Sequence, residues 1–126
     1  MRILVCGGRQ FKDWRLLFDT LNHEYLIWEV SLKSFPTEKF ILIHGDAPGA
    51  DTLAEVWAAS SSQKIIIEAY PADWQMYGVG AGHVRNRKML DKGKPDLVVA
   101  FPGRAGTANM VSIAKTAGVE VREVTG

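Results

Sequence analysis

Five short apolar runs alternate with amphipathic stretches along the chain, and this alternation constrains the fold more than any other feature. The runs are ILVC (3–6), FILIH (40–44), KIIIEAY (64–70), DLVVAF (96–101) and VEVREV (119–124). Residues 13–30 place Trp14, Leu17, Phe18, Leu21, Tyr25 and Trp28 at helical spacings of three and four. Leu53, Ala54 and Trp57 mark a second helix over 49–60, and residues 81–91 read as a more polar third. Met110, Ile113, Ala114 and Ala117 mark a fourth over 107–117, closed by Gly118 at its C′ position. The resulting order, β-α-β-α-β-α-β-α-β, predicts an α/β fold with a mainly parallel five-stranded sheet and helices on both faces. The middle three runs lack clean alternation, so strands buried on both faces are expected there. With 126 residues and no linker or repeat, residues 1–126 read as a single domain.

Composition narrows the function classes. Hydrophobic residues make up 47% and charged residues 23%, as in ordinary soluble proteins. A formal net charge of +1 disfavours an extended nucleic-acid interface. The single cysteine, Cys6, allows no internal disulfide and no Cys/His zinc set. No stretch approaches the ~20 apolar residues of a membrane span, and MRILVCGG is too short an apolar run for a signal peptide. A cytoplasmic protein without membrane contact is therefore expected, with no metal and no bound cofactor.

In a parallel α/β sheet, ligands bind beyond the carboxyl ends of the strands, so the loops there carry the candidate site. After the first strand, Gly7 and Gly8 permit close backbone approach and Arg9 can meet an anion; neither G-x-G-x-x-G nor a Walker A motif is present. After the second, Gly45, Asp46, Gly49 and Asp51 surround a helix start; the aspartates suit ribose hydroxyls or simple capping. The long connection 70–81 offers Trp74 and Tyr77, which could stack on a base or pack at the sheet edge. It leads into AGHVRNRK, where Arg85, Asn86 and Arg87 begin a helix and oppose its dipole unless an anion is bound. The fourth loop, FPGRAGT, combines Pro102, Gly103, Arg104, Gly106 and Thr107 at a further helix start. There, unpaired N–H groups and the positive dipole end favour phosphate.

Taken in order, GGR (7–9), G-x-A-x-G-x-D-x-x-A (45–54), PADW with YG (71–78), AGHVRNRKM (81–89) and FPGRAGTANM (101–110) resemble the SLOG superfamily, named for the Smf/DprA and LOG proteins. The closest likeness is to its small YspA/YpsA-related branch. The resemblance implies a Rossmann-like three-layer α/β/α sandwich that binds a nucleotide or nucleotide-derived ligand, in sensing or processing of a nucleotide signal. It also implies a homo-oligomer, for which the helix bearing Trp28 could supply an interface. Two alternatives follow from relatives: a nucleoside 5′-monophosphate phosphoribohydrolase, and a single-stranded nucleic-acid-binding protein. The phosphoribohydrolases carry P-G-G-x-G-T-x-x-E. Here Arg104 replaces the second glycine and Met110 the glutamate, which a thioether cannot replace in acid–base chemistry. Arg87 lies at a spacing from Pro102 like that of the family's catalytic arginine, so Arg87, Asp46 and Asp51 remain the catalytic candidates.

Overall fold

Each apolar run becomes a strand of one sheet. The computed structural model describes residues 1–31, 37–62 and 64–125. The strands are β1 (Arg2–Cys6), β2 (Phe40–His44), β3 (Ile65–Ala69), β4 (Leu97–Ala100) and β5 (Glu120–Glu123). The helices are α1 (Trp14–Ser31), α2 (Ala50–Ser60), α3 (Trp74–Tyr77), α4 (Ala81–Gly93) and α5 (Ala105–Thr116). Strand order is β3-β2-β1-β4-β5 and every pairing is parallel. The central strand β1 is in register with both neighbours, Leu4 opposite Ile43 and Val98. This is the expected Rossmann-like α/β architecture.

Alternate residues of the central strands feed two separate cores, as the two-residue period of a strand requires. Ile3, Val5, Leu97 and Val99 pack with Leu17 and Leu21 of α1 and Ala54 and Trp57 of α2. Leu4, Cys6, Val98 and Ala100 pack with Met89 and Leu90 of α4 and with Met110, Val111 and Ala114 of α5. The first core is aromatic: Phe40 is fully buried, with the rings of Tyr25, Trp28 and Trp57 at 5.1, 5.3 and 6.0 Å. At the far edge, the buried Glu24 of α1 accepts from Arg122 of β5, so its carboxylate is paired where water is excluded.

Three expectations need correction. β2 and β4 are buried, but β3 pairs only with β2 and leaves Ile67 exposed on the sheet edge. The connection 70–81 is not one loop; it folds into α3 and a 3-10 turn at Gly78–Gly80. α4 then starts at Ala81, so RNRK lies in its interior and not at its N-terminus. The conflict with the helix dipole expected for Arg85 and Arg87 falls away with it.

Because Phe40 joins α1, α2 and the sheet, Phe40→Ala should destabilise the domain by about 3–5 kcal/mol. Urea unfolding should show this as a lower midpoint with an unchanged slope.

Candidate functional site

The strand order reverses between β1 and β4, and the loops leaving these two strands border a cavity of about 680 Å³. Such a switch point is where an open parallel sheet leaves a crevice.

The peptide units of Gly8 hold the cavity's backbone together. Its N–H donates to Pro102 O at 2.8 Å, and its carbonyl accepts from Phe11 and Ala50, both at 3.2 Å. A Cβ on Gly8 would stand 2.9 Å from Pro102 O and 3.2 Å from Gly103 Cα, so only glycine fits. Gly49 faces the same carbonyl, with φ at 84° and no room for a side chain.

The two helix starts beside this knot differ. At α2, Ala50 N–H is taken by Gly8 O, and Asp51 lies buried in the first turn. Asp51 Oδ2 accepts from Gly45 N and Ala47 N, each at 3.1 Å. Burial raises the Asp51 pKa above its ordinary value; those two hydrogen bonds and the nearby His44 and Arg85 act in the opposite direction. At α5 no side chain caps the helix, and the first N–H bonded within it is that of Ala108, to Arg104 O. The N–H groups before it point out of the helix end with its positive dipole.

Most residues expected at the site meet here. Gly7, Gly8 and Arg9 line the cavity from the β1 side, and Asp51 from α2. Arg85 and Asn86 line it from α4, and Pro102, Gly103, Arg104, Gly106 and Thr107 from the β4 side. Arg85 is half-buried and donates to Gly45 O and to Asn86 Oδ1. Burial lowers its pKa, Asp51 raises it, and the neighbouring Arg9 charge lowers it further. Asn86 is buried and donates to Gly106 O and Asn109 Oδ1, both at 3.0 Å, which braces α5 against α4.

Other expected residues lie outside the lining. Gly45 accepts from Arg85, and Gly49 abuts the Gly8 carbonyl. Arg87 points away and stands 3.9 Å from Asp91, one turn along α4. Tyr77 is exposed. Trp74 meets the cavity only through Arg9, whose guanidinium sits 5.2 Å from its ring centre. Sequence reasoning missed Phe11, which lines the cavity with its ring 5.3 Å from that of Phe101. An apolar residue inside the polar turn RQFKD was the available signal. Cys6 also lines the cavity, but burial pushes its pKa up to about 12, which leaves an unreactive thiol.

His44, Asp46 and Glu55 bring a nitrogen and two carboxylates within 4.8 Å of one another, the spacing of a metal set. Asp46, in the left-handed region at φ 55°, donates its N–H to His44 Nδ1 at 2.9 Å. The neutral ring therefore carries its proton on Nε2, which has no lone pair left for a metal. Nε2 lies 2.9 Å from Glu55 Oε2, yet its N–H is not well directed at that oxygen and makes no hydrogen bond among the described residues.

A doubly wound parallel sheet with an arginine-lined cavity at its switch point defines the class, a Rossmann-like domain. The model of the YspA, cpYpsA-related SLOG family (YAcAr) matches residues 1–77. The chain is also 34% identical over 125 residues to the Gene 61 protein of Mycobacterium phage D29, covering 95% of this chain and 93% of that protein. The chain belongs to the YspA/cpYpsA-related SLOG family. Among the described residues, no helix is long and apolar enough to cross a membrane.

The raised Asp51 pKa gives a signed pH dependence. The folded state holds this proton more tightly than the unfolded chain, so stability falls as pH rises above 3.8 through the raised value. Asp51→Asn keeps an oxygen for Gly45 N and Ala47 N but cannot titrate. Its Tm relative to wild type should therefore climb between pH of about 4 and 7, and a pH-independent difference would contradict the assignment.

Proposed function

We propose that this protein binds a nucleotide or nucleotide-derived ligand, with phosphate at the N-terminus of α5. One observation carries the reading. Arg9, Arg85 and Arg104 all line the cavity, and none of them forms an ion pair with a carboxylate among the described residues. Of the four arginines outside it, Arg2, Arg87 and Arg122 are each paired with a carboxylate, and Arg15 rests on the Trp14 ring. Unpaired guanidinium groups around an uncapped helix start are the complement of a phosphate. At about 680 Å³ the cavity falls in the range of small-molecule sites. Asp51 is the carboxylate available to a ribose hydroxyl, and Phe11 is the ring available to a base.

Binding is favoured over cleavage because the acid–base groups are poorly supplied. Met110 is fully buried in the core between the sheet and α5. Asp51 is tied to two backbone N–H groups, and Arg87 faces Asp91 outside the cavity. A nucleic-acid role is disfavoured because the net charge is only +1, too little for extensive neutralisation of a phosphate backbone.

The test is a thermal-shift panel of nucleoside mono-, di- and triphosphates. A one-site ligand at 100 times its Kd should stabilise by ~2.7 kcal/mol, and Arg104→Ala should weaken that ligand about tenfold or more. Flat melting curves across the panel would sink the reading. Release of free base from a nucleoside monophosphate would instead favour the hydrolase.

A further inference from the structure

The three free guanidinium groups belong to different elements. Arg104 sits at the N-cap of α5, beside the open N–H groups. Arg85 is clamped on α4 by Gly45 O and Asn86 Oδ1. Arg9 comes from the loop after β1 and rests on the Trp74 ring of α3, at 5.2 Å. A single phosphate at the α5 start satisfies the N–H groups and Arg104. It leaves Arg9 beside Arg85, two like charges near enough for Arg9 to weaken proton binding on Arg85. Among the described residues Asp51 is the one carboxylate lining the same cavity, and it is already bonded to Gly45 and Ala47. A second anionic group at Arg9 would relieve this repulsion, and Trp74 would fix where that group binds.

We propose that Arg9, seated on Trp74, forms a second anion subsite beside the α5 N-terminus, so that the cavity takes a ligand with two linked phosphates. This rests on the reading of the cavity as a nucleotide site. In it Trp74 is a positioning residue that acts through Arg9 and is not itself a platform for a base. A phenylalanine at 74 would keep an aromatic face for the guanidinium, whereas alanine would release Arg9 without removing its charge.

Calorimetric titration with inorganic phosphate and with inorganic pyrophosphate separates the possibilities. Wild type should bind pyrophosphate about tenfold or more tightly than phosphate, the gain of one charge-assisted contact. Arg9→Ala and Trp74→Ala should lower that ratio towards one and leave phosphate affinity within about twofold, while Trp74→Phe keeps most of it. Arg15→Ala, which removes a cation resting on Trp14 outside the cavity, should leave the ratio unchanged and so controls for net charge. Arg9 and Trp74 are both exposed, so the variants should fold, and melting curves check this. An unchanged ratio in Arg9→Ala would overturn the second subsite while phosphate binding still supported the α5 site. An unchanged ratio in Trp74→Ala alone would remove the role of Trp74. Failure of wild type to bind either anion would strike at the underlying reading instead.

Discussion

The site depends on the two peptide units that meet at Gly8. Through them, the loop leaving β1 is joined to the loop leaving β4 by the Pro102 carbonyl, and to the start of α2 by the Ala50 N–H. These three segments are far apart in sequence and come from three strands that are adjacent in the sheet. The bond to Pro102, with that from Phe101 N–H to Cys6 O one step below it, holds the loop of Arg9 against the loop of Gly103. The space left between β1 and β4 by the reversal of strand order is therefore a walled cavity and not an open cleft.

That arrangement sets the electrostatics. Two helices begin next to the Gly8 knot, and each brings a positive dipole end. The α2 end is answered within the protein, by Gly8 O and by the buried Asp51. At the α5 end no side chain caps the helix among the described residues, and Arg104 adds to its charge. Asn86 holds this end in place through the Gly106 carbonyl, which leaves the N–H groups of the turn facing outward. Rigidity and unmet charge thus occur in the same few residues, the combination an anion site requires.

The fold was legible because the sheet is parallel and mostly buried. Runs such as FILIH and DLVVAF admit few other structures, and β2 was bounded to the residue. The loops were legible through glycine: Gly8, Gly49 and Gly103 stand where backbones touch. Side-chain direction was not legible in the same way. Arg85 and Arg87 were read together from RNRK, yet residues two apart on a helix lie about 200° apart around its axis. One lines the cavity and the other pairs with Asp91 outside it. The start of α4 at residue 81 was legible, but RNRK was misplaced at that start, and the glycines at 78 and 80 read as a loop where Gly78–Gly80 form a 3-10 turn leading into the helix. The contact of Arg9 with Trp74 joins residues 65 apart in sequence, and no local pattern announces it.

Met110 shows how site chemistry and core packing are linked in this chain. By resemblance, hydrolytic relatives place a glutamate there, one turn into the helix that follows the phosphate loop. Here the side chain is fully buried beside Leu4, Cys6, Met89 and Val98, on the core side of α5. Two of these neighbours, Cys6 and Met89, also line the cavity, so position 110 lies directly behind the cavity wall. A carboxylate in that place would lose its water and be driven towards its protonated form unless a cation reached it. Arg85 is the nearest candidate by element, but Gly45 O and Asn86 Oδ1 hold it in the cavity lining. Methionine fills the same volume without needing a partner. Met110 therefore stabilises the wall where a carboxylate would have to be ionised, and under the proposed reading a cavity so built is better suited to holding a phosphate than to breaking the bond next to it.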